Sequence, residues 1–212
     1  MKKIRILIAD DHPIVRAGFK QVLSETPDME VTDEAGNGQE VMACVRKKEH
    51  DVVLLDISMP GRSGLEVLKD LKDEKPKLPV LILSMYPEEQ YAIRALRAGA
   101  SGYLTKASAP NELISAIRKV AEGGKYISAT LGERLTEFLG TDMTRPPHEL
   151  LSDREYQVML MIASGKTVSA IADELFLSVK TISTYRTHIL EKMRMKNNAE
   201  ITLYAVQNKL VG

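Results

Sequence analysis

Short apolar runs alternate with amphipathic stretches of helix length through the first 123 residues, and this alternation restricts the fold more than any other feature. The runs are Ile4–Ala9, 30–34, Val52–Asp56, Val80–Ser84 and Gly102–Thr105. Three of them are apolar nearly throughout, as parallel strands covered on both faces must be. The stretches between them carry stripes at helical spacing. Ile14, Val15, Phe19, Val22 and Leu23 form the first, and Val41, Met42 and Val45 the second. Leu65, Leu68 and Leu71 follow, then Ala92, Ile93 and Leu96, then Leu113, Ile114, Ile117 and Val120. Gly99 and Gly123 stand where helix ends favour a left-handed residue. Five such βα units predict a doubly wound, flavodoxin-like α/β domain with a five-stranded parallel sheet over residues 1–122.

The pattern loosens over 123–147, a predicted linker in which Tyr126-Ile127 and Leu131, Leu135, Phe138 and Leu139 form one short amphipathic helix. Residues 140–147 are a cluster of helix breakers. From 148 to 212 there are no strand signals, and the expectation is an all-α domain of four helices. Ser152-Asp153-Arg154-Glu155 is a capping box opening the first of them, with Val158, Met159, Ile162 and Ala163 facing inward and Gly165 at its end. A short second helix, 168–175, turns through Phe176-Leu177 into a third, capped by Ser178 and buried through Ile182, Ile189 and Met193. The fourth spans 199–210. Two short helices joined by a tight turn, the later one polar outside, predict a helix-turn-helix.

Charge and composition narrow the setting. Twenty-nine basic residues balance twenty-nine acidic ones, yet residues 178–196 hold five basic against one acidic. One cysteine forms no intrachain disulfide, no apolar run approaches a membrane span, and the amino terminus lacks a signal-peptide core. A cytoplasmic protein with no membrane partner is therefore expected. Four scattered histidines and one cysteine exclude a zinc site of ordinary ligand spacing.

In an open parallel sheet, function collects beyond the carboxyl ends of the strands. Those ends carry Asp10-Asp11, Asp56, Ser84 and Thr105-Lys106. Three carboxylates in one place repel unless a hard cation offsets them, and Mg2+ suits oxygen ligands beside a phosphate. Asp56 is then a candidate nucleophile toward a phosphoryl donor, Lys106 a point charge for phosphoryl oxygens, and Ser84 a hydroxyl for the same group.

These residues, with Met59-Pro60-Gly61, Gly64, Ala98-Gly99-Ala100 and Gly102-Tyr103, resemble the receiver domain of two-component response regulators over about residues 3–122. The resemblance implies that Asp56 is phosphorylated by a sensor histidine kinase. It also implies that Asp11, Asp56 and the Ser58 carbonyl hold the magnesium, with Asp10 acting largely through water. Ser84 and Tyr103 match the switch pair that moves inward on phosphorylation. A phosphohydrolase of the haloacid-dehalogenase type is the rival enzyme, but it needs a second Asp where Ser58 stands. Apart from self-catalysed phosphorylation and dephosphorylation, no enzyme is expected.

On the third helix of the second domain the outward set is Lys180, Thr181, Ser183, Thr184, Thr187 and His188, flanked by Arg186 and Lys192. Tyr185 and Lys196 complete the candidate DNA contacts. Leu151 to Glu155, Val158, Gly165, Ile171-Ala172, Leu175, Leu177-Ser178, Thr181-Ile182, Lys192-Met193 and Ala199-Glu200 resemble the LuxR-type domain of the NarL/FixJ branch. Ile182-Ser183, Tyr185 and Asn198 depart from that pattern, so no operator sequence carries over. The resemblance implies a transcription regulator that binds double-stranded promoter DNA as a homodimer once activated, with RNA polymerase as a further partner. The expected dimer contact is Leu203, Val206 and Gln207. An adaptor that no longer binds DNA is the remaining rival, and a gel shift separates the two.

Overall fold

The computed structural model describes residues 3–128, 131–132 and 146–211, which fall into two compact units divided near residue 135. In the first unit, β1 (Ile4–Ala9), β2 (Met29–Ala35), β3 (Val52–Asp56), β4 (Val80–Ser84) and β5 (Gly102–Thr105) form one parallel sheet in the order β2-β1-β3-β4-β5. Four strands match the apolar runs, and β2 extends one residue beyond its run at each end. The helices are α1 (Pro13–Ser24), α2 (Gly38–Lys47), α3 (Gly64–Glu74), α4 (Glu88–Arg97) and α5 (Pro110–Ala121).

Period-two alternation sends strand side chains to both faces. Ile6, Ile8, Leu54, Leu81 and Leu83 join Leu23 of α1 and Leu113, Ile117 and Val120 of α5 in one core cluster. Leu7, Val53, Leu55 and Ile82, of opposite parity, are equally buried. Right-handed crossovers put α2, α3 and α4 over that second face. Register aligns Ala9 with Leu55, Asp56 with Leu83 and Ser84 with Thr105, so the strands end together at one edge.

Two local devices shape the sheet. Gly64 opens α3 so close to β3 that a Cβ there would stand 2.0 Å from the Asp56 carbonyl oxygen, and only glycine fits. The Gly64 N–H donates to the Ile57 carbonyl at 2.8 Å, closing the turn beneath the acid. At the outer strand, Tyr126 makes an isolated parallel bridge to Gly102 and its N–H donates to the Ser101 carbonyl at 2.8 Å. Part of the expected linker thus packs on the sheet. Of the expected linker helix, Tyr126 and Ile127 are not helical, because Tyr126 pairs with the sheet instead; Leu131 is helical and buried, and Leu135, Phe138 and Leu139 lie outside the described residues.

In the second unit a 3-10 turn (Pro147–Leu150) precedes α6 (Asp153–Ala163), α7 (Val168–Glu174), α8 (Val179–Met193) and α9 (Asn198–Gln207). Side chains of Ser152, Thr167, Ser178 and Asn197 each accept a backbone N–H of the helix they start. Ser152 and Glu155 complete the expected capping box. The buried set of α8 is Ile182, Ile189 and Met193, as the spacing predicts. α6 is buried along its whole length rather than on one stripe, with α7, α8 and α9 all packed on it. The turn between α7 and α8 places Phe176 at φ 55°, in the left-handed region, with its ring exposed.

Candidate functional site

The sheet edge brings together the residues singled out from the sequence. Asp10 and Asp56 are 2% and 1% exposed, and Asp11 is partly exposed. The Lys106 ammonium, just past β5, lies 2.6 Å from Asp10 Oδ2 and 2.8 Å from Asp56 Oδ2. Asp56 Oδ1 is buried with no side-chain hydrogen-bond partner, and the Ser58 backbone N–H bears on the carboxylate. Burial raises the Asp56 carboxyl above the ordinary range; Lys106 opposes this and the nearby Asp10 adds to it. Burial pulls the Lys106 ammonium down, but Asp56 and Asp10 more than offset that and raise it. The edge therefore holds more negative charge than its one buried cation balances.

One residue passed over in the sequence joins them. One ligand atom from each of Asp10, Asp11, His12 and Asp56 lies within 4.8 Å of the others, close enough for a single metal ion. The His12 N–H donates to Asp10 Oδ1 at 2.8 Å, and its Nδ1 sits 2.8 Å from Asp11 Oδ1. Its signal was simply its place after the aspartate pair. Ser58 is partly buried in the loop after β3. Ser84 is wholly buried, and its Oγ accepts the Tyr86 N–H at 3.1 Å. Tyr103, also wholly buried, donates its hydroxyl to the Tyr86 carbonyl at 2.8 Å. Burial pushes the Tyr103 phenol upward, so it stays protonated and remains a donor.

In the second unit, Lys180, Ser183, Thr184, Thr187 and His188 are exposed along one side of α8. Thr181, Tyr185 and Arg186 are partly buried. Arg186 Nε donates to Asn198 Oδ1 at 2.6 Å, and Lys192 Nζ donates to both oxygens of the buried Glu155, at 2.6 and 2.8 Å. Two candidate DNA contacts thus have partners inside the domain, a pairing that helical spacing does not reveal. Lys196 is exposed after α8, and Leu203, Val206 and Gln207 are exposed on α9.

A receiver-type sheet with an acidic edge, followed on the chain by a helix-turn-helix unit, defines a class: the DNA-binding response regulators. Family models agree with both halves. Residues 6–118 match the response regulator receiver domain, and 149–205 match the bacterial regulatory proteins of the luxR family. The oxygen regulatory protein NreC of Staphylococcus carnosus is 39% identical over 215 residues, covering 98% of this chain and 99% of that protein. The response regulator GacA of Pseudomonas protegens is 38% identical over 208 residues, covering 98% of each. Among solved structures, RcsB of Salmonella enterica serovar Typhimurium, bound to promoter rprA in the presence of phosphomimetic BeF3-, is 26% identical. Its TM-score is 0.67, with 96% of this chain and 98% of that chain covered. The chain belongs to the LuxR family of two-component response regulators. Among the described residues, no helix is long and apolar enough to cross a membrane.

Proposed function

We propose that this regulator is cytoplasmic, that a sensor histidine kinase phosphorylates it at Asp56, and that the modification controls its pairing and promoter binding. The observation that carries the reading is the Asp56 carboxylate, held at 1% exposure with the Lys106 ammonium 2.8 Å away. A carboxylate buried this deeply is costly to keep charged, and it is a poised nucleophile. In the transfer, Asp56 Oδ1 attacks phosphorus and the donor's P–N bond breaks in line, the pair leaving with the donor imidazole. Lys106 already spans Asp10 and Asp56 and meets the incoming phosphoryl oxygens as a fixed charge.

Magnesium fits this donor set, because the carboxylates of Asp10, Asp11 and Asp56 are hard oxygen ligands and carry an orphaned buried oxygen. Those three and the Ser58 carbonyl would hold the ion. When bound, it supplies charge that neutralises the phosphoryl group and the crowded acids. The new phosphoryl oxygens would then draw Ser84, whose Oγ now serves Tyr86, while Tyr103 holds the same turn through the Tyr86 carbonyl. Tyr86 is thus the joint through which the site reaches the start of α4.

Leu203 and Val206 are 58% and 53% exposed, so neither closes the core of its own domain. They support the reading of α9, with Gln207, as the contact between two DNA-bound domains. Pairing places two recognition helices on adjacent half-sites. On DNA, Lys180, Thr181, Ser183, Thr184, Tyr185, Arg186, Thr187, Lys192 and Lys196 form the proposed contact surface, with RNA polymerase a further partner at the promoter. The RcsB–promoter complex formed with a phosphomimetic supports the same order of events for this chain. Incubation with a small phosphodonor and Mg2+ should add one phosphate by intact mass and raise promoter affinity. Asp56→Asn should abolish both, and full labelling of that variant would overturn the assignment.

A further inference from the structure

The outer side of α8 is less polar than its residue names suggest. Ser183 Oγ donates to the Val179 carbonyl at 2.9 Å, Thr184 Oγ1 to the Lys180 carbonyl at 3.0 Å, and Thr187 Oγ1 to the Ser183 carbonyl at 3.1 Å. All three hydroxyl protons are spent on the helix's own backbone one turn earlier. What the exposed side chains keep for a partner is acceptor lone pairs and, on the two threonines, a methyl group. Val179, the first residue of α8, is 51% exposed and lies one turn before Ser183 on the stripe that continues to Thr187. The cations that usually read guanine are scarce here. Arg186 is engaged with Asn198 and Lys192 with Glu155, leaving Lys180 near the helix start.

We infer that α8 reads thymine 5-methyl groups in the DNA major groove through Val179, Thr184 and Thr187. The N-terminal residues of a recognition helix meet base edges. In the major groove thymine alone of the four bases presents a methyl, which apolar side chains contact. The three bound hydroxyls leave oxygens that accept from the amino groups of adenine or cytosine, so an A·T pair satisfies both halves of this surface. Preference for T·A steps here comes from apolar contact rather than from bidentate charge.

The inference rests on the proposed promoter binding, and one experiment separates the two. Full-length protein, treated with phosphodonor and Mg2+, selects duplexes from a random pool. The preferred duplex is then synthesised with deoxyuridine replacing each thymidine in turn, and affinity is measured by fluorescence anisotropy at fixed salt. Removing one contacted methyl should weaken binding about fourfold, the factor that burying one such group contributes. Thr187→Ser and Thr184→Ser, which keep the hydroxyl and drop the methyl, should lose affinity for the thymidine duplex and little for the matching deoxyuridine duplex. Val179→Ala should behave alike at its own position. Equal binding of every deoxyuridine duplex, or a preferred site without T·A pairs, overturns methyl reading while leaving promoter binding intact. Failure of the pool to yield any preferred sequence overturns both.

Discussion

The two halves of the chain treat their helix starts differently. In the DNA-binding half α6, α7, α8 and α9 each begin under a side-chain cap. In the receiver only α2 and α3 do so, through Asn37 and Ser63. The helices α1, α4 and α5 begin at His12, Pro87 and Ala109, with no side-chain cap. Those three follow β1, β4 and β5, the strands that carry Asp10-Asp11, Ser84 and Lys106 to the site. A capped helix start is worth about 1 kcal/mol and holds its first turn in one place. The receiver lacks side-chain caps on the helices that follow β1, β4 and β5 and keeps one on α3, which follows the Asp56 strand, whereas the DNA-binding half caps every helix. Burial differs at the two sites as well, since Asp10 and Asp56 are hidden at the sheet edge while the polar side of α8 is exposed.

The largest effect should come from emptying the receiver's charge cluster. Asp56→Asn is expected to abolish labelling yet to stabilise the metal-free receiver, because the amide keeps the buried shape and removes the charge that burial and Asp10 disfavour. The pH dependence sharpens this. A carboxyl raised on folding contributes stability below its unfolded pKa and loses that contribution as pH rises through the folded value. The gain of the Asn variant in urea unfolding with chelator should therefore be small near pH 4 and grow as pH rises. A variant less stable than the parent at pH 7.5 would break the contrast between the halves.

The DNA-binding half should answer in the opposite sense. Burial pushes the Glu155 carboxyl up, but Lys192 and the Ser152 cap outweigh it and hold the group below its usual range. Its contribution is fully present above the unfolded pKa and is lost as pH falls through the folded one. Glu155→Gln should cost about 1–2 kcal/mol in thermal unfolding near neutral pH and less in acid, with phosphorylation unchanged. Next in size is Val206→Asp, which should remove cooperativity on an inverted-repeat site with circular dichroism unaltered. Unchanged cooperativity would move the contact off α9. The smallest effect is expected at the exposed Lys166–Glu174 pair, 2.5 Å apart, where Lys166→Ala should shift stability by about 0.5 kcal/mol or less and vanish in high salt.

What the sequence makes legible follows from periodicity. Strand cores such as Val52–Asp56 and Val80–Ser84, and the inward set Ile182, Ile189 and Met193, are dictated by spacing along one element. The strand-end carboxylates follow from the same logic, because a parallel sheet has one carboxyl edge. Contacts between distant elements leave no period to find. His50, its side chain wholly buried and 3.0 Å from Asp33 Oδ2, looks in sequence like any loop histidine. The ties of Arg186 to Asn198 and Lys192 to Glu155 are equally invisible, so the basic excess of 178–196 overstates the charge left free to meet phosphates.

The bridge at β5 has a bearing on how the protein behaves when crowded. A terminal strand offers unpaired backbone groups to any other extended chain, which is how sheets stack into fibres. Here Tyr126 takes the Ser101 carbonyl and the Lys125 ammonium takes that of Ala100, at 2.8 and 2.6 Å. A Cβ on Gly102 would stand 2.7 Å from the Tyr126 carbonyl oxygen, so even an alanine would lever the cover away. The opposite border, β2, is interrupted by a register shift opposite Ile6 and Leu7. Neither border is a clean template for a foreign strand, so the fold itself discourages strand-to-strand pairing between sheets of neighbouring molecules.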